Sequence, residues 1–216
     1  MPDDILTGSI PILLQGLVVT LALALAAAVG GTLLGLLAAV LRSFGSWGTP
    51  RLAIIYTELF RGSPALITLM LIYFGVSYFG YVIDVFAAGV VGLSVYQGAY
   101  IAEVFRSGIE SVPKGQWEVS QILGLSRTQA FFSVILPQTA KLVMPPLVGQ
   151  YLALIKDTSI VSMIGMSELM HQGQAIVDRI GQPAEIYGLV AVIYFIICFP
   201  LSRWVRRHDS IRRQLS

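Results

Sequence analysis

The chain has 216 residues, of which 56% are hydrophobic and only 12% charged, against roughly 25% charged in a soluble domain. That balance excludes an ordinary soluble fold and marks an integral membrane protein. A single cysteine, Cys198, excludes an intrachain disulfide or a cysteine metal cluster, and a net charge of +2 says less than the places where the charges fall.

Residues 10–41 form a first apolar run with no charged side chain, longer than the ~20 residues that cross the hydrocarbon core. Asp3 and Asp4 precede it, where a cleaved signal peptide would carry Lys or Arg, and the run outlasts a signal h-region. Gly31-x-x-x-Gly35 within it fits a close helix contact as well as it fits chance in a Gly/Ala-rich run. Four more apolar runs follow, at 54–79, 82–105, 142–164 and 186–204. Backbone groups in lipid are satisfied only by helices or closed barrels, and these runs lack period-two alternation. The expected fold is therefore all-α, with five transmembrane helices in a single domain over 1–216.

Basic residues near the span ends set the orientation. With five spans, Arg42, Arg51, Arg106, Lys114, Arg127, Lys141, Arg203, Arg206, Arg207, Arg212 and Arg213 share one side. The other side receives Asp3, Asp4, Asp84, Glu168, Asp178, Glu185 and one basic residue, Arg179. The N-terminus is expected outside and the C-terminus in the cytoplasm.

The cytoplasmic side then holds the most polar stretch between two spans, residues 111–137. Ser111 is expected to cap a short helix with Pro113 in its first turn, and Gly124 to end that helix in a left-handed conformation. Ser126 and Gln129 have capping-box spacing for a second helix, which Pro137 is expected to stop. The predicted product is a helix, a sharp corner and a helix. On the far side, residues 167–178 suit a short amphipathic helix, either contacting an external protein or lying at the interface.

Charges inside apolar runs are the informative exceptions, since each costs ~2.5–3.5 kcal/mol at a helix centre. They are Glu58 and Arg61 in the second run, Glu103 in the third, and Lys156 with Asp157 in the fourth. A cavity lined by both signs suits a zwitterion. Pairing along one helix face, Glu58 with Arg61 or Glu103 with Arg106, accounts for some of the same charges. The chain has no Gly-x-x-x-x-Gly-Lys phosphate loop, Gly-x-Ser-x-Gly elbow or His-Glu-x-x-His motif. No catalytic residue is therefore assigned. Glu168-x-x-His171 resembles half of a carboxylate metal site, but its second half is missing, so no metal site is expected.

Glu118, Gly124 six residues on, and Leu136-Pro137 resemble the EAA loop of ABC importer permeases, the segment that docks on the ATPase subunit. Val119 and Ser120 stand where that motif has alanines, and Val134 where it has isoleucine. Four further strings, in order, resemble the polar amino acid branch of these permeases, the histidine, glutamine, glutamate and arginine importers. They are Phe60-Arg61-Gly62-Ser63-Pro64, Ala99-Tyr100-Ile101-Ala102-Glu103-Val104-Phe105-Arg106, Val112-Pro113-Lys114-Gly115-Gln116-Trp117-Glu118 and Lys156-Asp157-Thr158-Ser159-Ile160-Val161-Ser162.

The resemblance implies an alternating-access permease subunit of the bacterial inner membrane, working with a second permease chain, identical or homologous. It further implies two ATP-binding subunits, which carry the ATP and Mg²⁺ that this chain lacks, and a periplasmic or lipid-anchored solute-binding protein. Membrane lipid is a partner and nucleic acid is not. Arg61, Glu103, Asp157, Thr158 and Ser159 are implied to line the substrate pathway, and Glu118, Gly124, Leu136 and Pro137 to couple to the ATPase. The competing reading is a secondary amino acid transporter or channel without an ATPase, which has no special need for the corner. The residues do not choose among basic, acidic and amide substrates.

Overall fold

The computed structural model describes residues 2–46 and 48–213, with side chains over 8–46 and 48–205. The side chains of Asp3, Asp4, Arg206, Arg207, Arg212 and Arg213, used above for orientation, lie outside the described residues. The described chain is helical throughout, without strands. Its helices are α1 (Pro2–Phe44), α2 (Thr49–Arg61), α3 (Ala65–Tyr78), α4 (Val85–Glu110), α5 (Lys114–Ile122), α6 (Arg127–Ala130), α7 (Leu136–Asp157), α8 (Leu169–Ile180) and α9 (Pro183–Arg213).

Four stretches are long and apolar enough to cross a membrane: Gly8–Phe44, Val85–Glu110, Arg127–Ile164 and Pro183–Val205. The first is 37 residues, or ~55 Å of helix. The expected second span is not one helix. It divides into α2 and α3, bent by 108°, and counts as a fifth crossing only if the pair is taken together. The cause is local: Pro64, extended at ψ 140°, lacks the N–H that would continue α2 and disfavours a helical residue before it. α2 packs against α1 and α4. Ala53 packs with Ala102 and Ala38, the Tyr56 hydroxyl donates to the Val95 carbonyl at 2.7 Å, and Arg61 reaches Glu103.

α1 and α4 form the most extensive helix pair, and glycine explains how closely they approach. A Cβ on Gly35 would lie 2.7 Å from Ile101 Cγ2 and 2.9 Å from the Gly98 carbonyl oxygen. The Gly31-x-x-x-Gly35 spacing is thus a close helix contact, as small residues permit in membranes. Around it Leu23, Ala27, Leu69, Ala88, Leu154 and Val161 join α1, α3, α4 and the end of α7 in one apolar core.

The 111–137 region folds as a helix, a corner and a helix, with two corrections. Ser111 does not open α5. It closes α4, its hydroxyl donating to the Ser107 carbonyl at 2.6 Å, and α5 starts after Pro113 without a side-chain cap. Pro137 does not stop the second helix either. Arg127–Ile164 is one span, because Phe131–Ile135 forms a π-helical turn in which the Leu136 N–H donates to the Phe131 carbonyl. The wider turn relieves the clash that a proline ring makes with the carbonyl four residues back. Beyond α7 the span tightens into a 3₁₀ segment, Thr158–Ile164, ended by Gly165 at φ +88°.

The expected helix near 167–178 is α8, starting two residues later. Its apolar face is buried: Leu169 and Ile176 pack against Leu13 of α1 and Ile186 and Val190 of α9.

Candidate functional site

Polar groups collect in three zones along the bundle. The first is the corner. α5 ends in a complete Schellman turn, with Gly124 N–H donating to the Gln121 carbonyl at 2.9 Å and Leu125 N–H to the Ser120 carbonyl at 3.1 Å. Gly124 adopts φ +78°, which side-chain-bearing residues resist. The Ser126/Gln129 capping box is formed in both directions, at 2.9 and 3.3 Å. Beneath the corner Val112, Phe131 and Ile135 are buried, with Trp117 and Leu136 packed against them, and Phe131 meets Phe44 of α1 edge-on at 4.6 Å. Its outer surface presents Ile122, 84% exposed, and Leu123, 72% exposed, beside a groove of about 400 Å³ lined by Lys114, Trp117, Glu118, Gln121 and Arg127. Glu118 and Gly124 therefore lie at the surface of the corner, Leu136 beneath it and Pro137 at the start of α7.

The second zone is a ladder on one face of α4. Tyr96, Tyr100 and Glu103 succeed one another at helical spacing. The Tyr96 and Tyr100 hydroxyls lie 3.1 Å apart, and the Arg61 guanidinium sits 5.8 Å from the Tyr100 ring centre, within cation–π range. Arg61 continues to Glu103 at 3.4 Å. Glu103 also takes Arg42 of α1 at 3.6 Å and a two-pronged contact from Arg106, whose Nε donates at 2.9 Å. Arg106 in turn reaches Glu110. Arg61 thus faces Glu103, and no described ion pair joins it to Glu58. Its Nε is buried without a partner. At the other end of the ladder the Asp157 carboxylate is within electrostatic reach of Tyr96. The structure thus brings Arg61 and Glu103, widely spaced in the chain, into direct contact.

The third zone is at the α8 end. Thr158 is fully buried and donates to the Ile155 carbonyl at 2.7 Å. Ser159 lines a cavity of about 450 Å³ with Ser162, Met163, Met170, His171 and Gln174 among its walls. Next to it Glu168, fully buried, caps α8. Its carboxylate accepts from the backbone N–H of His171 at 2.7 Å and of Met170 at 3.0 Å, from Thr20 at 3.3 Å and from Tyr194 at 3.4 Å. Burial pushes the Glu168 carboxyl above its ordinary value, and these hydrogen bonds offset only part of the rise. Among the described residues no group of His, Cys, Asp and Glu is placed to hold a metal ion.

Sequence reasoning missed several of these groups. Tyr96 and Tyr100 carry a readable signal, their i, i+4, i+7 register with Glu103. Glu168 was read as an outer-face acid and as half of a metal pair, not as the cap of α8. Gln97, buried on α4 and donating to the Gln150 carbonyl at 2.8 Å, has none, because its partner comes from another helix.

Residues 31–213 match the family described as binding-protein-dependent transport system inner membrane component. The glutamine transport system permease protein of Escherichia coli is 40% identical over 201 residues, covering 92% of each chain. The L-cystine transport system permease protein of Bacillus subtilis is 37% identical over 204 residues, covering 94% of this chain and 87% of its own. A crystal structure of an amino acid ABC transporter with histidines superposes with a TM-score of 0.90 at 34% identity, over 95% of this chain and 96% of that one. The inward-facing MetNI methionine ABC transporter has the same fold, with a TM-score of 0.78 at 23% identity. The chain belongs to the binding-protein-dependent transport system inner membrane component family and is a permease subunit of an ABC importer.

Proposed function

We propose that this chain and a second permease chain, identical or homologous, form the alternating-access pathway of an ATP-driven importer of polar amino acids in a bacterial inner membrane. The chain is a transport subunit and not an enzyme, ATP hydrolysis belonging to a separate chain. Two such ATPases, holding ATP and Mg²⁺, dock on the corner, and a periplasmic or lipid-anchored solute-binding protein delivers substrate at the α8 end. The whole of 1–216 acts as one permease domain. In this reading α2 and α3 together make the second of five crossings, the N-terminus is outside, and the corner and C-terminus are cytoplasmic.

The observation that carries the proposal is the corner. Its Schellman turn and capping box fix two helices rigidly, its exposed Ile122 and Leu123 give an apolar knob, and Glu118 sits in the adjoining groove. Motion of an ATPase against α5 passes through Val112, Phe131 and Leu136 into the π turn at Pro137, and through the Phe44 contact into α1. Rigid-body tilting of these helices exchanges access between the two faces. Arg61, Glu103, Asp157, Thr158 and Ser159 form or support the pathway, with both charge signs available to a zwitterionic backbone. Relatives named for glutamine, L-cystine and arginine transport support an amino acid substrate.

The test is Gly124→Asp in proteoliposomes carrying the reconstituted complex. The left-handed turn costs an Asp side chain ~1 kcal/mol, and its charge faces the docking surface. ATP-driven amino acid uptake is expected to be lost while the chain remains inserted. Unchanged uptake, or a wild-type chain that purifies without an ATPase and still moves solute, overturns the proposal.

A further inference from the structure

The corner end of the bundle holds more positive charge than its ion pairs use. Three guanidiniums, Arg42 of α1, Arg61 of α2 and Arg106 of α4, converge on the single carboxylate of Glu103. Arg106 takes both oxygens of that carboxylate and also reaches Glu110, so its own charge is met twice. Arg42 and Arg61 approach one oxygen, Oε2, only at 3.6 and 3.4 Å, too long for good hydrogen bonds. Among the described residues neither guanidinium donates a hydrogen bond, and the Arg61 Nε is buried without a partner. We propose that Arg42 and Arg61 form a site for the phosphate of an anionic phospholipid in the leaflet at the corner end. The inference goes beyond the importer reading and needs only that the chain spans a membrane.

The unspent donors suit a phosphate in number and in shape. A guanidinium carries five N–H donors in a rigid fork that matches two oxygens of a phosphate. Two such forks aimed at one point grip a tetrahedral anion from two sides. Arg42 and Arg61 approach the same Glu103 oxygen, so a single anion entering beside it reaches both. Three cations set against Glu103 and Glu110 leave one positive charge unbalanced, and their mutual repulsion falls when an anion enters. The three arginine side chains and Glu103 are 23–34% exposed, which gives an anion access while limiting the screening by water.

Depth selects the source of the phosphate. Arg42 stands two residues before the end of α1 and Arg106 four before the end of α4. α4 has 26 residues and is therefore ~39 Å long, against a hydrocarbon core of ~30 Å. Its last turn reaches headgroup level, and the arginine stems extend toward that level. Basic pockets between spanning helices at a membrane surface hold anionic headgroups in this way. The same two helices that supply Arg42 and Arg61 present Leu37, Val40, Leu52 and Ile55 to the outside. Acyl chains of a lipid can cover such apolar surface, and a free phosphate ion cannot.

The test is native mass spectrometry of the permease–ATPase complex, purified in mild detergent and titrated with phosphatidylglycerol or with phosphatidylcholine of the same acyl chains. The choline cation opposes the arginines, so the wild type is expected to bind phosphatidylglycerol about tenfold more tightly. Arg42→Gln and Arg61→Gln are each expected to remove most of that preference. Arg51→Gln, at an exposed arginine outside the hub, is expected to leave it intact. Inorganic phosphate in large molar excess is the remaining arm and is expected not to displace phosphatidylglycerol. Equal binding of the two lipids by the wild type overturns the inference, as does a preference that survives both hub variants. A preference lost equally in Arg51→Gln would reduce it to general surface charge, and displacement by inorganic phosphate would replace the lipid with a free ion; either result overturns the assignment. Both wild-type comparisons decide the matter even where a glutamine variant fails to fold. The readout needs neither ATP nor amino acid, so its outcome is separate from that of the importer reading.

Discussion

Glu103 and Glu168 each tie several helices together, but the two carboxylates are held in opposite ways. Glu103 lies toward the corner end of α4, 23% exposed, and is surrounded by the cations Arg42, Arg61 and Arg106. Glu168 is fully buried at the α8 end and is held by uncharged donors: two backbone N–H groups, a threonine and a tyrosine. The difference follows from water access. A hub that water reaches keeps its charges at modest cost, because solvent screens them and repays part of any lost contact. A buried hub has no such reserve, so each donor must be matched by geometry.

The largest expected effect is therefore at Glu168. Replacing it with Ala strips the α8 N-terminus of its cap and leaves Thr20 and Tyr194 without that acceptor, and the expected loss is ~3–5 kcal/mol. Thermal unfolding of the purified chain, followed by size-exclusion fluorescence, would read it. A loss below ~1 kcal/mol would erase the distinction between the two hubs.

A smaller effect is expected from Glu103→Gln. It leaves Arg42, Arg61 and Arg106 facing one another around an uncharged amide, although Arg106 retains Glu110. The expected loss is ~1–2 kcal/mol, with looser packing between the ends of α1, α2 and α4. Smaller again is the response to salt. Raising ionic strength should lower the stability of the wild type by ~0.5 kcal/mol or less, a decrease expected to survive Glu168→Gln and to shrink in Glu103→Gln. Equal salt sensitivity in the two variants would show that the arginine hub is not screened by water.

How far each hub could be read from the sequence follows the same division between local and distant partners. The Glu103–Arg106 pair was legible because it is three residues apart on one helix. Arg42 and Arg61 were not, since they come from other helices. The 108° break after α2 was signalled by Pro64, yet the apolar run on both sides of it averages to one hydropathic span. Gly124 and the Ser126/Gln129 box were legible for the same local reason. Pro137 was misread because its effect depends on the π turn before it, which no residue of that turn announces. The cavity at the α8 end was half visible: Ser159 lay in a motif, whereas His171 and Gln174 enter it from a helix whose other face is fastened by Glu168.

The smallest effect distinguishes the hubs by sign. Burial raises the Glu168 carboxyl from its ordinary 4.5, and the donated hydrogen bonds do not fully restore it. The folded chain then binds this proton more tightly than the unfolded chain. Between the ordinary value and the raised one the native state carries more protons, so stability falls as pH rises through that window and is level above it. A carboxylate whose charge is favoured by folding would give the reverse, with stability lost on acidification. The expected observation is a wild-type unfolding midpoint that declines from about pH 4.5 upward relative to Glu168→Gln, whose amide cannot titrate. Taking the difference between the two chains removes contributions common to both, including those of Glu103 and its arginines. A difference that grows with pH in favour of the wild type would mean that four donors outweigh burial and that Glu168 caps α8 as an anion. Desolvation would then have to be relieved by water reaching the knot between α1, α8 and α9, and the contrast with Glu103 would be one of partners alone.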